Sequence, residues 1–117
     1  MDSQNVRTAV VGALEEIKAK NVEVLDVRHF TSLFDYLVIA SADSTRQTRA
    51  LARNVEDRLR ERGVDSQGVE GLRSGEWILV DLGSVVVHIM QPAVRDFYNL
   101  SELWGEAVRQ SPRHSAS

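Results

Sequence analysis

The pattern of apolar and polar residues over the first third of the 117-residue chain predicts one helix followed by two strands. Apolar residues recur at helical spacing from residue 4 to about residue 20, with charged residues on the other faces, as in an amphipathic helix. The segments 22–27 and 34–41 are short and rich in aliphatic residues, which is typical of strands. The chain therefore begins as a mixture of helix and sheet.

A second helix is predicted between Ser44 and Gly63. Ser44 followed by Gln47 is a capping-box pattern, in which side chains satisfy the free backbone N–H groups of the first turn. Glycine commonly stands just after a helix end, so the helix should stop at Gly63. Four glycines between residues 63 and 75 then leave room only for a short strand at 68–72.

The remaining elements are a hairpin and a helical end. Residues 76–90 form two aliphatic runs around a turn, and the sequence after Pro92 reads as two short helical pieces broken near Asn99. This order predicts an α/β fold of the α+β kind, a mixed sheet with flanking helices. We expect a single domain over residues 1–105 and a disordered tail over 106–117, which is polar and has nothing to bury.

The hairpin turn falls at Gly83-Ser84, where a type II′ turn fits because Gly supplies the positive φ of the first central residue. Counting outward from the turn assigns the side chains to two faces. One face is wholly aliphatic and is predicted to be core: Ile78, Val80, Leu82, Val85, Val87 and Ile89. The other, called the mixed face below, carries Trp77, Leu79, Asp81, Val86, His88 and Met90.

The mixed face has two interpretations. In the first, it packs beneath a helix as further core, and Trp77 and His88 each find a hydrogen-bond partner there. In the second, it is an exposed or partly covered patch of large apolar groups that binds a protein. Asp81 favours the second, because burying an unpaired carboxylate is costly. The residue pattern alone leaves both open.

The composition of the chain excludes several classes of protein and of functional site. The formal net charge is -3, which argues against a protein whose main affinity is for a phosphate backbone. The chain has no cysteine, so disulfides, thiolate nucleophiles and Cys-based zinc sites are excluded. The first 20 residues lack the apolar run of a signal peptide or membrane span, and we expect a cytoplasmic protein without a membrane partner.

Enzymatic sites find little support in the spacing of polar residues. A nucleotidyltransferase needs carboxylates clustered on one strand face to hold a divalent metal, but Glu76 and Asp81 are five residues apart and face opposite ways. The segment "SADST" before the second helix lacks a glycine-rich phosphate cradle. The three histidines show no metal-ligand spacing: His29, His88 and His114. We therefore predict no catalytic residue, metal or cofactor.

The second helix also carries arginines that could form an RNA-binding face. They stand at positions 46, 49, 53, 58, 60 and 62. Glu56, Asp57 and Glu61 interleave with them, which favours a solvated, ion-paired helix surface over an RNA site. An RNA-binding module and a nucleotide-binding enzyme of the nucleotidyltransferase type, degenerate or active, are the alternatives to a protein-binding function.

Residues 24 to 104 resemble the ribosomal silencing factor family, RsfS, also called Iojap-like. The likeness is carried by "FTSLFDYLVIASADSTRQTRALA" and by "GVEGLRSGEWILVDLGSVVVHIMQPAVRDFYNLSELW". These hold the F-D-Y strand, the V-E-G turn, the W-I-L-x-D strand, V-V-H and the closing Y-x-L-x-x-L-W. Two positions depart from the family pattern, Ala42 before the helix and Ser84 in the turn, and they affect local turn geometry only.

The resemblance implies a fold like that of nucleotidyltransferases without the catalytic acids. It further implies a protein that binds the large ribosomal subunit through ribosomal protein number fourteen and blocks joining of the small subunit when nutrients run short. Contact with ribosomal RNA would be peripheral at most, and the free protein would be a homodimer. The interface residues implied by the family, with Leu79 added from the face count, are Trp77, Leu79, Asp81, His88, Met90 and Tyr98.

Overall fold

A computed structural model describes residues 1–100 and 102–104 of the chain; the tail predicted to be disordered, 106–117, lies outside them. The described elements are three helices and five strands. In order they are α1 (Ser3–Glu16), β1 (Lys20–Asp26), β2 (Tyr36–Ser41), α2 (Thr45–Glu61), β3 (Gly68–Glu70), β4 (Trp77–Asp81), β5 (Val85–Met90) and α3 (Pro92–Tyr98).

The strands form one mixed sheet in the order β1-β2-β5-β4-β3. β2 and β5 run parallel, and the other neighbouring pairs are antiparallel. All six residues of β2 are buried, because this strand lies between two others and is covered on both faces. The predicted α+β class with a mixed sheet and flanking helices is confirmed. The pairing of β2 with β5 brings two segments nearly fifty residues apart into the centre of the sheet.

The helices α1 and α2 cover one face of this sheet and form the main core with it. Their apolar stripes recur every three or four residues, so each helix points one side at the strands. The aliphatic face of the hairpin packs against them, and all six of its residues are buried as predicted. The opposite sheet face, which includes the mixed face, is contacted by the C-terminal part of the chain.

The first helix ends earlier than predicted. α1 stops at Glu16 rather than near residue 20, because Lys18 adopts a left-handed conformation with φ of 59°. The N–H groups of Lys18 and Ala19 then bond to the carbonyls of Glu15 and Leu14, each over 3.0 Å, which is a Schellman closure of the helix end. The prediction was wrong because a lysine occupies the position where glycine would signal the stop.

The second helix has the predicted ends. Ser44 Oγ accepts a hydrogen bond from the Gln47 N–H over 3.1 Å, and Gly63 follows the helix with φ of 83°. The return bond of a capping box is replaced by another contact: the Gln47 side-chain amide donates to the Ile17 carbonyl over 3.2 Å. This contact ties the start of α2 to the end of α1.

The C-terminal segment, defined as residues 92–100 and 102–104, crosses the sheet face opposite α1 and α2. It contains α3 and, beyond it, helical backbone at residues 100 and 102–104. Asn99 separates the two pieces with a left-handed φ of 51°, so the predicted break near this residue is confirmed. Among the residues that the structure describes, no helix is long and apolar enough to cross a membrane.

Candidate functional site

The hairpin has the predicted register. Gly83 has a φ of 85°, the positive value that the predicted turn requires. The Ser84 N–H also bonds to the Leu82 carbonyl across this glycine over 3.2 Å, which tightens the turn. On the mixed face the cross-strand pairs are Trp77 with Met90, Leu79 with His88, and Asp81 with Val86.

The C-terminal segment covers only part of the sheet face to which the mixed face belongs. Met90 is 0% exposed and packs with buried residues of β2. Leu100 and Trp104 of the C-terminal segment close this small second core. That Met90 contacts a partner stays a prediction; in this structure its side chain has no exposed surface and belongs to the second core. The other five residues of the mixed face are half-buried.

Trp77 and His88 bond to each other on this face. The Trp77 indole N–H donates to His88 Nδ1 over 2.8 Å, so neutral His88 carries its proton on Nε2. Burial lowers the pKa of His88 from 6.5 to about 4, because the charged imidazole would lose its hydration. Tyr98, which is 53% exposed, contacts the Trp77 ring with centroids 4.7 Å apart. Trp77 and His88 have thus found partners, as the core interpretation requires, yet both remain partly accessible.

A groove with a volume of about 410 Å³ opens over the uncovered part of the mixed face. Its floor consists of Leu79, Asp81, Val86 and His88. One wall belongs to the loop 27–35 between β1 and β2 and to the C-terminal segment. The wall residues are Leu33, Phe34 and Trp104.

The loop wall of the groove is not predicted by the sequence pattern. Leu33 is 83% exposed, and Phe30 and Phe34 lie against Trp104 with ring centroids 5.3 and 5.7 Å apart. Alternation places the two strands on either side of the loop but does not say where the loop folds. The available signal is compositional: "FTSLF" has three large apolar residues in a connection where polar residues are usual.

Asp81 supplies the acidic group of the groove. Its Oδ1 accepts a hydrogen bond from the Gly83 N–H over 2.8 Å, which also holds the hairpin turn. No cation pairs with Asp81 among the residues that the structure describes. The groove thus combines an apolar surface, an acceptor on Asp81 and a donor on His88 Nε2. In the described part of the chain, no group of three or more His, Asp or Glu side chains could hold a metal ion.

Comparison of the chain with known proteins identifies its family. The whole chain, residues 1–117, matches the family model described as "Ribosomal silencing factor during starvation". The chain belongs to the ribosomal silencing factor family. The ribosomal silencing factor RsfS of Chromobacterium violaceum is 50% identical over 105 residues, which are 90% of this chain and 86% of that protein. The resemblance seen in the sequence is confirmed.

Two further comparisons concern the fold of the chain and a more distant relative. A crystal structure of a Chromobacterium violaceum protein, 50% identical, superposes with a TM-score of 0.88 over 90% of this chain and 88% of that chain. The mouse protein named "Mitochondrial assembly of ribosomal large subunit protein 1" is 33% identical over 98 residues, 81% of this chain and 43% of its own length.

The six predicted site residues occupy three kinds of position. Leu79, Asp81 and His88 line the groove. Trp77 and Tyr98 form an aromatic pair joined to the groove through the Trp77–His88 bond, and Met90 lies beneath them in the second core. The fold therefore brings the six together, with five at the surface and one as support.

Proposed function

We propose that this protein binds the large ribosomal subunit through ribosomal protein number fourteen, at the groove and the aromatic pair beside it. Bound there, it sterically blocks joining of the small subunit and lowers translation when nutrients are short. The protein acts in the cytoplasm, where ribosomes join, and is a homodimer when free. Steric exclusion needs neither a cofactor nor a reaction, and we assign no catalytic residue.

The observation that carries this proposal is the concentration of exposed apolar side chains on the two segments that wall the groove. Eight large apolar residues are well exposed in the described part of the chain, and five of them lie on the loop 27–35 or on the C-terminal segment. These five are Phe30, Leu33, Phe97, Tyr98 and Leu103. An exposed apolar surface that is rimmed by polar groups is what a protein partner buries.

A protein partner is favoured over RNA by the distribution of charge. Asp81 lines the groove without a cationic neighbour among the described residues, so phosphate groups would be repelled there. On the opposite layer, two of the arginines of α2 are engaged in ion pairs. Arg58 bonds to Glu16 over 2.9 Å, and Arg60 bonds to Asp57 over 3.1 Å. Support for a ribosomal partner comes from the family description and from the name of the mouse relative.

The proposal is tested by calorimetric titration of isolated ribosomal protein number fourteen with the Leu79→Arg variant. Leu79 is half-buried on the groove floor, so a bulky cation there should fill the groove while its charge reaches solvent. We expect binding to weaken about a hundredfold or more, as for the loss of a central contact, and the melting temperature to change little.

Two controls complete this experiment. Val87→Asp, on the buried aliphatic face, should destabilise the fold by several kcal/mol because an unpaired carboxylate enters the core. Raising the salt from about 50 to 200 mM should weaken wild-type binding only mildly, in contrast to the steep loss of a phosphate-dominated complex. Full-strength binding by Leu79→Arg, or binding to naked ribosomal RNA but not to the protein, would refute the proposal.

A further inference from the structure

The helix α3 carries Tyr98 onto Trp77 although none of its own residues is buried. Short helices are normally held by apolar burial, and in α3 this burial is limited to Val94, which is half-buried against the second core. Between α3 and β1 lies a cleft with a volume of about 480 Å³ that is lined mostly by polar side chains. Because this apolar contact is small, we expect polar contacts across the cleft to contribute to the position of the helix.

Arg95 makes these contacts. Its side chain is only 11% exposed, and its guanidinium reaches across the cleft to three acceptors on two strands. It donates to the Asn21 carbonyl over 2.6 Å and to Ser41 Oγ over 2.9 Å, and it forms an ion pair with Glu23. A planar guanidinium with several donors in fixed directions can satisfy all three at once.

The strands are shaped to receive Arg95. The register of β1 against β2 shifts between Lys20 and Glu23, and Asn21 in this irregularity has a left-handed φ of 50°. A bulge of this kind redirects the backbone groups and side chains of a strand, and here the Asn21 carbonyl points to Arg95. Ser41, at the end of β2, is buried, and the Arg95 guanidinium is its hydrogen-bond partner.

We propose that Arg95 is a positioning residue of the partner-binding face. It fixes α3 on the sheet, α3 holds Tyr98 against Trp77, and Trp77 bonds to His88 in the groove. This inference rests on the proposed function, since it assigns Arg95 a role in that same interface. It predicts that loosening α3 lowers affinity without removing any side chain that lines the groove.

The test compares Arg95→Met and Arg95→Lys with the wild type. Met keeps much of the length of the side chain but loses every donor, whereas Lys keeps the charge but carries its donors on a single nitrogen atom. Arg60→Met is the matched control, because it removes an exposed ion pair of α2 on the opposite layer. Each protein is examined by hydrogen exchange of the α3 amides, by thermal melting and by titration with isolated ribosomal protein number fourteen.

For Arg95→Met we expect α3 amides to exchange at least about tenfold faster and affinity to fall about tenfold, with a small change in melting temperature. Arg95→Lys should recover part of both losses, and Arg60→Met should match the wild type. A fluorescence readout adds to this: in a Trp104→Phe background Trp77 is the remaining tryptophan, and Arg95→Met should raise its quenching by acrylamide.

The outcomes separate the two proposals. If the wild type fails to bind the ribosomal protein, the proposed function is wrong, and exchange and quenching alone decide whether Arg95 positions α3. If Arg95→Met leaves the α3 amides protected, the inference is wrong whatever happens to binding. It is also wrong if α3 loosens while affinity stays at the wild-type level, because α3 would then have no part in recognition.

Discussion

His88 has a protonation state that determines the hydrogen bonding in the groove. It accepts a hydrogen bond from Trp77 at Nδ1, which leaves the Nε2–H as a donor in the groove. Protonation would place a proton on Nδ1, where Trp77 already donates, and would charge a largely buried ring. Both effects favour the neutral ring. Acid that protonates the ring therefore destabilises the folded protein.

We expect this histidine to make stability depend on pH between about 6.5 and 4. The folded-state pKa of about 4 lies below the ordinary value of 6.5, so the unfolded chain binds the proton more readily. The contribution of His88 is therefore complete above about pH 6.5 and is lost as the pH falls toward 4. The loss should reach about 3 kcal/mol at pH 4, measured by urea unfolding at a series of pH values.

The control for the pH experiment is His88→Asn, whose side-chain oxygen can still accept from Trp77 but does not titrate. The pKa of Glu16 is lowered by its hydrogen bonds from Asn54 and Arg58, and this carboxylate adds to acid sensitivity at the lower end of the range. Its effect is common to both proteins and cancels in their difference. Parallel stability curves for wild type and His88→Asn would contradict the assignment to His88.

Sequence could place the predicted site residues of the hairpin on one face but could not predict their exposure. Alternation along β4 and β5 puts Trp77 and Met90 on one face, as observed. It does not reveal that Leu100 and Trp104 return to cover Met90 while Leu79 stays open, because no local signal links those segments. The strand period determines which side chains lie on a sheet face. Tertiary packing determines which of those side chains are then covered.

The two long helices illustrate how far element ends can be predicted. Both α1 and α2 close with the same pair of hydrogen bonds after a left-handed residue. In α2 that residue is Gly63, and a glycine at this position signals the helix end in the sequence. In α1 it is Lys18, which carries no such signal, and the apolar pattern continues through Ile17. The α2 end could therefore be predicted, and the α1 end could not.

This comparison gives a pair of opposite predictions for stability. Lys18→Gly should stabilise the protein by about 1 kcal/mol, because glycine adopts the left-handed conformation without the Cβ strain of lysine. Gly63→Lys should destabilise it by a similar amount, since a Cβ added at Gly63 has no heavy atom within 4 Å and the backbone strain is then the main cost. Urea midpoints at unchanged slope measure both, and shifts of the same sign would contradict the argument.

At the scale of the whole molecule, the two sides of the sheet have different tasks. One side is buried under α1 and α2 and carries the stability of the fold, and ion-paired arginines lie on the outside of that layer. The other side is only partly covered. The groove, the exposed aromatic residues and an acidic group lie on it. This division allows a protein of 117 residues to expose a large apolar surface while its main core stays intact.

The central claim, that the open side blocks subunit joining, is tested most directly by mixing purified large and small ribosomal subunits with the protein. The fraction of joined ribosomes is measured by sucrose-gradient sedimentation. Wild-type protein at saturation should keep the subunits apart and travel with the large subunit, and Leu79→Arg should allow them to join as if no protein were present. Joined ribosomes at full yield in the presence of saturating wild-type protein would contradict the account.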